Sequence, residues 1–255
     1  MHGVVSTALV AITLLLTAAG ARAASITWSS ATNITGDANI ITNWNFEYAY
    51  YYSSATNPVV LNGVTFIGSG GARNFGSDVS TTLPSGGGSV SGLGTGTGLS
   101  ANYQTLLGGI AWRDGTNADS VTLKNLEIGT RYYVQIWLHD SRSLAASRTA
   151  TVTSTGGNSV LLDYNVANVV GGSGQYAVGT FLADASTQNF TIQSAISGQL
   201  NALQLRSTPV PNVTVSINAT QTVRTVDNRI FAANTAIYDS HLQGPASVPL
   251  LFEAD

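Results

Sequence analysis

The sequence predicts a mainly β protein: a jelly-roll-like β-sandwich followed by a short, incomplete α/β segment. Three observations lead there. Only 9% of residues are charged while Gly alone numbers 27, which suits short strands joined by polar turns better than long surface helices, because those need Glu, Lys and Arg. Hydrophobic residues make up 44% of the 255, enough to bury a real core. From Ser25 to about Arg206, short runs of period-2 alternation keep returning, separated by Gly, Asn, Asp and Ser, as in sandwich proteins.

Residues 1–23 are set apart before the fold is considered. "VVSTALVAITLLLTAAG" is an apolar run, followed by Ala21-Arg22-Ala23, a small-x-small site ahead of Ala24. Together they read as a secretory signal, which places the mature chain outside the cell or in a periplasm. No later segment is apolar for long enough to span a membrane. The chain has no cysteine, so neither disulfides nor thiolate metal sites support it.

The sandwich is expected over residues 24–207. In "NWNFEYAYYYSS", strict alternation puts Trp44, Phe46, Tyr48, Tyr50 and Tyr52 on one face. "VVLNGVTFIG" carries Asn62-Gly63 between two β-rich runs, the strongest short-range hairpin signal. Further strands are read in "DSVTLKNLEI", "RYYVQIWLHD", "RTATVTST", "SVLLDYNV", "QYAVGTFLAD", "QNFTIQSA" and "LNALQLRS". That is about nine strands, more than a seven-strand immunoglobulin-like unit holds, and a jelly roll fits better. "SGGGSVSGLGTGTGLS", from Ser85 to Ser100, is a long loop or an irregular edge. It has no Lys and no G-x-x-x-x-G-K-[ST] spacing, so it is not a phosphate-binding loop.

Residues 208–212 read as a linker, because Pro209 and Pro211 stiffen the chain and remove two donors that a ladder would need. Beyond it, "VTVSIN" and "RIFAANTAIYD" are strand-like, and "PASVPLLFEAD" has a helix start. On these residues, "VDNRIFAANTAIYDSHL…LLFEAD" resembles the start of the catalytic barrel in secreted α-L-arabinofuranosidase-like glycoside hydrolases of the family 51 type. The upstream stretches "ITWSSATNITGDANI", "YYVQIWLHDSR", "GGSGQYAVGTF" and "QLNALQLR" resemble a carbohydrate-binding-module-like accessory β-sandwich found ahead of catalytic or surface domains in large exported bacterial proteins. The resemblance implies that residues 213–255 are the first strand and helix of a TIM barrel, with Asn234, Asp239 and His241 placed as a remnant of its sugar site. Such a barrel takes about 250 residues and keeps its catalytic groups at the ends of several strands, and glycoside hydrolysis normally needs two flanking carboxylates. The chain contains three Glu, namely Glu47, Glu127 and Glu253, and none matches the family's acid/base or nucleophile. The expectation is a truncated glycoside hydrolase without catalytic competence of its own.

The candidate binding residues come from "RYYVQIWLHDSR". Tyr132, Val134, Ile136 and Leu138 form a face suited to a core, and Tyr133, Gln135, Trp137 and His139 form the opposite one. Sugars present apolar CH patches edged by hydroxyls, and rings beside amide, imidazole, carboxylate and guanidinium groups complement them. Tyr133, Gln135, Trp137, His139, Asp140 and Arg142 are therefore predicted to form a saccharide-binding surface for a polysaccharide such as arabinan or arabinoxylan. Against this stands packing of Tyr133 and Trp137 beneath the Gly-rich tract.

A net charge of −3 with a single Lys gives no basic stripe for nucleic acid. No cofactor is expected. His139 and His241 lie in separate units, which argues against a transition-metal site, and structural calcium through Asp114, Asp119 or Asp163 is the remaining metal option. The reading is a monomeric, noncatalytic accessory module for polysaccharide binding, with a structural or adhesive surface module as the alternative.

Overall fold

A computed structural model describes residues 24–142 and 148–209. In chain order its strands are β1 (Thr27–Trp28), β2 (Thr32–Asn33), β3 (Asn45–Tyr51), β4 (Val59–Leu61), β5 (Val64–Gly68), β6 (Val79–Thr81), β7 (Ser85–Ser89), β8 (Gly109–Asp114), β9 (Asp119–Leu123), β10 (Arg131–Leu138), β11 (Thr149–Thr153), β12 (Ser159–Asp163), β13 (Gln175–Leu182), β14 (Gln188–Ser194), β15 (Ser197–Leu200) and β16 (Ala202–Ser207). One α-helix, α1 (Ala101–Leu107), lies among them.

The largest sheet runs β1-β13-β10-β16-β3-β5-β4, with β2 extending along β13. A second sheet runs β12-β11-β14-β9-β6, and β15-β8-β7 form a third. Pairing is antiparallel except between β3 and β5, where Tyr50 opposes Ile67. The predicted β-sandwich is therefore present. Its main core joins Val134, Ile136, Leu138, Leu203 and Leu205 of the large sheet to Val121, Leu123, Val152, Phe190 and Ile192 of the second. Alternation along each strand supplies these residues from one face only.

The other face of the large sheet also carries a core, which takes in Trp137, as the alternative of packing beneath the Gly-rich tract expects, but not Tyr133. Ala49, Tyr51, Trp137 and Ala202 are covered there by Val59, Leu61 and Phe66 of the β4–β5 hairpin and by Tyr103, Leu106 and Leu107 of α1. The hairpin forms as its Asn62-Gly63 pair dictates, with φ of 47° and 77°, the left-handed pair that a two-residue turn of this kind requires. Helix α1 begins where Ser100 Oγ accepts a hydrogen bond from Tyr103 N at 3.1 Å, a side-chain cap for an otherwise orphaned donor. Tyr103, Leu106 and Leu107, spaced i, i+3 and i+4, are its buried stripe.

Of the two readings of the Gly-rich tract, the irregular edge holds at its start, where Ser85–Ser89 form an edge strand paired with β8. One sequence expectation is corrected. Along β3, Leu205 opposes Tyr48 while Arg206 opposes Phe46, which leaves Glu47 as the extra residue of a bulge. A bulge reverses which side later residues face. Tyr48 and Tyr52 enter the main core, and Phe46 is turned to the face of Arg206, over which its ring lies at 5.5 Å from the guanidinium carbon. The five aromatic residues of that segment do not share one face.

Among the described residues no helix is long and apolar enough to cross a membrane. The expected signal (1–23), most of the linker (208–212) and the barrel-like segment (213–255) lie outside the described residues, and with them Asn234, Asp239 and His241.

Candidate functional site

The structure distributes the six predicted site residues over three environments. Tyr133 is partly exposed, near the start of β10. Gln135, Trp137 and His139, further along the same face, are fully buried. Asp140 and Arg142 follow the strand and belong to an ion-pair cluster.

Burial of the middle group has a clear cause. Gln135 Oε1 accepts from Ile41 N at 3.1 Å and its Nε2 donates to Asn39 O at 2.7 Å, so the segment before β3 is strapped over it. Gln204 Nε2 completes the arrangement by donating to Gln135 Oε1 at 2.7 Å. Trp137 Nε1 donates to Tyr103 Oη at 2.8 Å, and Phe66 meets the indole edge-on with centroids 5.6 Å apart. His139 Nδ1 accepts from Gly174 N at 3.0 Å, which fixes the neutral tautomer with its proton on Nε2. Burial pushes its pKa down from 6.5 to about 4, although Asp140 favours the cation. Gln135, Trp137 and His139 thus present no surface to a polymer, and the predicted platform of Tyr133, Trp137 and His139 is not formed.

What the sheet leaves open is the end of this face at Tyr133. Trp44 lies on it, with ring centroids 3.5 Å apart and 1° between the planes. Trp44 is 38% exposed and Phe46 is 48% exposed. Arg206 stands between them in register, opposite Tyr133 on one side and Phe46 on the other. Its Nη1 donates to the carbonyls of Thr42, Asn43 and Trp44 at 3.1, 3.4 and 3.0 Å. Burial lowers the pKa of this guanidinium, yet three backbone oxygens gathered on one nitrogen hold the turn that presents Trp44. That residue has φ of 68°, a conformation costly for a bulky side chain and kept only where the surroundings impose it. The sequence reading placed Trp44 and Phe46 on one face with Tyr48, Tyr50 and Tyr52. Only the bulge at Glu47, invisible to a period-2 count, brings them to the face of Tyr133.

At the far end of β10, Asp140 is fully buried. Arg142 grips it with Nε to Oδ1 at 2.8 Å and Nη2 to Oδ2 at 2.7 Å, and Arg148 donates from Nη2 to the same Oδ2. Burial alone would raise the Asp140 pKa, but the hydrogen bonds and charge of Arg142, with the charge of Arg148, hold it below the usual carboxylate range. Both arginines line a cavity of about 270 Å³ together with Trp112, Asp114, Ser197 and Gln199.

Among the described residues no group of three or more His, Cys, Asp or Glu converges on a metal position. Asp119 is bound by Arg113, Nε to Oδ2 at 2.7 Å, and Asp163 Oδ1 accepts from Asn165 N at 2.9 Å. Asp114 belongs to the cavity.

No family model and no curated protein matches the chain. Among solved structures it is similar to an exo-β-1,3-galactanase from Phanerochaete chrysosporium bound to β-1,3-galactotriose, at 18% identity over 70% of this chain and 32% of that one, with a TM-score of 0.32. A family GH115 4-O-methyl-α-glucuronidase with specificity for decorated arabinogalactans is 14% identical over 39% of this chain and 14% of that one, with a TM-score of 0.29. A carbohydrate-binding module of the β-sandwich superfamily is 12% identical over 70% of this chain and 98% of that one, with a TM-score of 0.14. The chain spans about a third or less of the length of the two enzymes. None of these likenesses assigns a role to a residue of this chain.

Proposed function

We propose that residues 24–207 form a noncatalytic carbohydrate-binding module that holds an exported protein on a polysaccharide. The observation that carries this reading is the pair Trp44 and Tyr133, stacked and open to solvent beside Phe46. Rings exposed on a rigid sheet are poor at burying themselves and good at covering the CH face of a sugar, while the neighbouring Asn43, Asn45 and Glu47, all exposed, supply hydrogen-bonding tips. Arg206 fixes the turn beneath Trp44, so little conformational freedom remains to be lost on binding. Arabinan and arabinoxylan are the proposed polymers, on the resemblance of residues 213–255 to arabinofuranosidase-like enzymes, and secretion is proposed on residues 1–23.

The test is retention of the full chain on insoluble arabinoxylan, and its mobility in gels cast with arabinan or arabinogalactan. The wild-type chain is expected to be retained, and Trp44→Ala to weaken retention by about tenfold or more. Equal retention of wild type and Trp44→Ala overturns the reading. A wild-type chain indifferent to every polymer supports a structural or adhesive module instead.

A further inference from the structure

The small sheet and the ion-pair cluster enclose a second place where a sugar fits, separate from the ring pair. Along β8, alternation puts Trp112 and Asp114 on one face. Across the ladder, Gln199 opposes Trp112 and Ser197 opposes Asp114, so four side chains of two adjacent strands floor the cavity that Arg142 and Arg148 border.

Two buried polar groups here are unsatisfied, and they are of opposite kinds. Gln199 is fully buried. Its Nε2 donates to His139 O at 2.8 Å, which fixes the amide orientation and leaves Oε1, an acceptor, without a partner. Arg148 spends Nη2 on Asp140, and its Nε, a donor, is buried without a partner. A buried polar atom left without a partner is destabilising, so each of the two gains from a ligand that pairs it. A hydroxyl group both accepts and donates, so a polyhydroxylated ligand satisfies both at once.

Charge and size narrow the class further. Arg142 and Arg148 are balanced by Asp140, which they bind, and by Asp114 on the cavity wall. With His139 neutral at pH 7, the site has no surplus charge to offer an anion. The 270 Å³ volume falls just below the roughly 300–1,000 Å³ of sites for drug-sized ligands, and so suits one sugar ring. Trp112 provides a partly exposed aromatic surface for its CH face.

We infer that this cavity binds a single neutral sugar residue, with Arg148 Nε and Gln199 Oε1 sharing its hydroxyls and Trp112 under its ring. This is independent of the ring pair: a module can hold polymer on Trp44 and Tyr133 and a chain end or side branch here.

The test is saturation-transfer NMR and calorimetric titration of the full chain with the methyl glycosides of D-galactose, L-arabinose, D-xylose and D-glucose, and of D-glucuronate as the anionic arm. At least one neutral glycoside is expected to bind, with glucuronate no tighter. Trp112→Ala is expected to weaken binding by about tenfold or more and Arg148→Lys by about threefold or more, with melting temperatures showing both variants folded. Trp44→Ala is expected to leave this binding unchanged while it reduces polymer retention, so failure at one site is told apart from failure at the other. The inference is overturned if no neutral glycoside binds at up to about 50 mM, if Trp112→Ala binds as wild type does, if Trp44→Ala abolishes the signal, or if glucuronate binds best.

Discussion

Trp44 lies flat against Tyr133, 3.5 Å between ring centroids, although they are 89 positions apart in sequence with β3 to β9 and α1 between them. The contact crosses over Arg206, which β16 inserts between β10 and β3. Three adjacent strands are therefore needed to build one small patch, and each contributes a side chain that a different neighbour holds in place.

The two tryptophans of this face differ in consequence. Trp137 is enclosed by Tyr103, Phe66 and Tyr176, and its replacement by Ala removes a large side chain from a core that can collapse only partly. The expected loss is about 3–5 kcal/mol, read from the urea midpoint, with polymer retention of the remaining folded protein intact. Trp44→Ala is expected to cost less than about 1 kcal/mol, as for surface positions, and to lose retention. A Trp137 variant that is stable but does not bind would restore the ring platform first read from the strand's alternation.

Arg206 is predicted to matter for both stability and binding. Arg206→Met keeps much of the stem that Phe46 and the sheet pack on but removes the donor shared by three carbonyls. Hydrogen bonds involving a charged group contribute about 1.5–3 kcal/mol net, and part of that is recovered because an incompletely solvated cation is also removed. A loss of about 1–3 kcal/mol is expected, together with weaker polymer retention as the turn at Trp44 loosens. Arg206→Met with wild-type retention would show that the turn holds without the guanidinium.

Much of the sandwich was legible because its signals are local. Period 2 located β9 to β14 and β16, and Asn62-Gly63 located the β4–β5 turn. The second core was not legible, since Tyr133, Gln135, Trp137 and His139 alternate in the same way whether water or α1 lies over them. A stripe does mark α1: Tyr103, Leu106 and Leu107 behind the cap residue Ser100, a helical spacing that a period-2 count does not register. The bulge at Glu47 left no mark in the pattern, as one extra residue changes every later face without changing composition. The ring pair was thus missed for the same reason that Tyr133 was found.

Ser100 provides a direct check on that helix. Its hydroxyl caps Tyr103 N and donates to Asp37 Oδ1 at 2.7 Å, joining α1 to the segment that covers Gln135. Ser100→Ala is expected to cost about 1 kcal/mol, measured by urea unfolding, and Ser100→Asp to recover little because its carboxylate would face that of Asp37. Equal recovery by Asp would mean that the cap alone matters.

His139 gives the protein a pH dependence whose sign follows from its burial. The imidazole is held at about 4 in the folded chain, against about 6.5 unfolded, so the unfolded chain binds more protons throughout that interval. Stability then rises with pH. The contribution is fully present above about 6.5 and disappears as pH falls toward 4, and a shift of that size corresponds to about 3 kcal/mol. Asp140 does not account for loss in this window, because its pKa lies below the usual carboxylate range and its protonation begins lower. Urea midpoints at pH 7 and pH 4.5 should differ markedly for the wild type. His139→Gln replaces the acceptor for Gly174 N without a group that titrates, so it is expected to be less stable at pH 7 and to show a much flatter profile. An equally steep profile in that variant would move the proton uptake away from this residue, and with it the claim that this buried imidazole is held neutral in the folded chain.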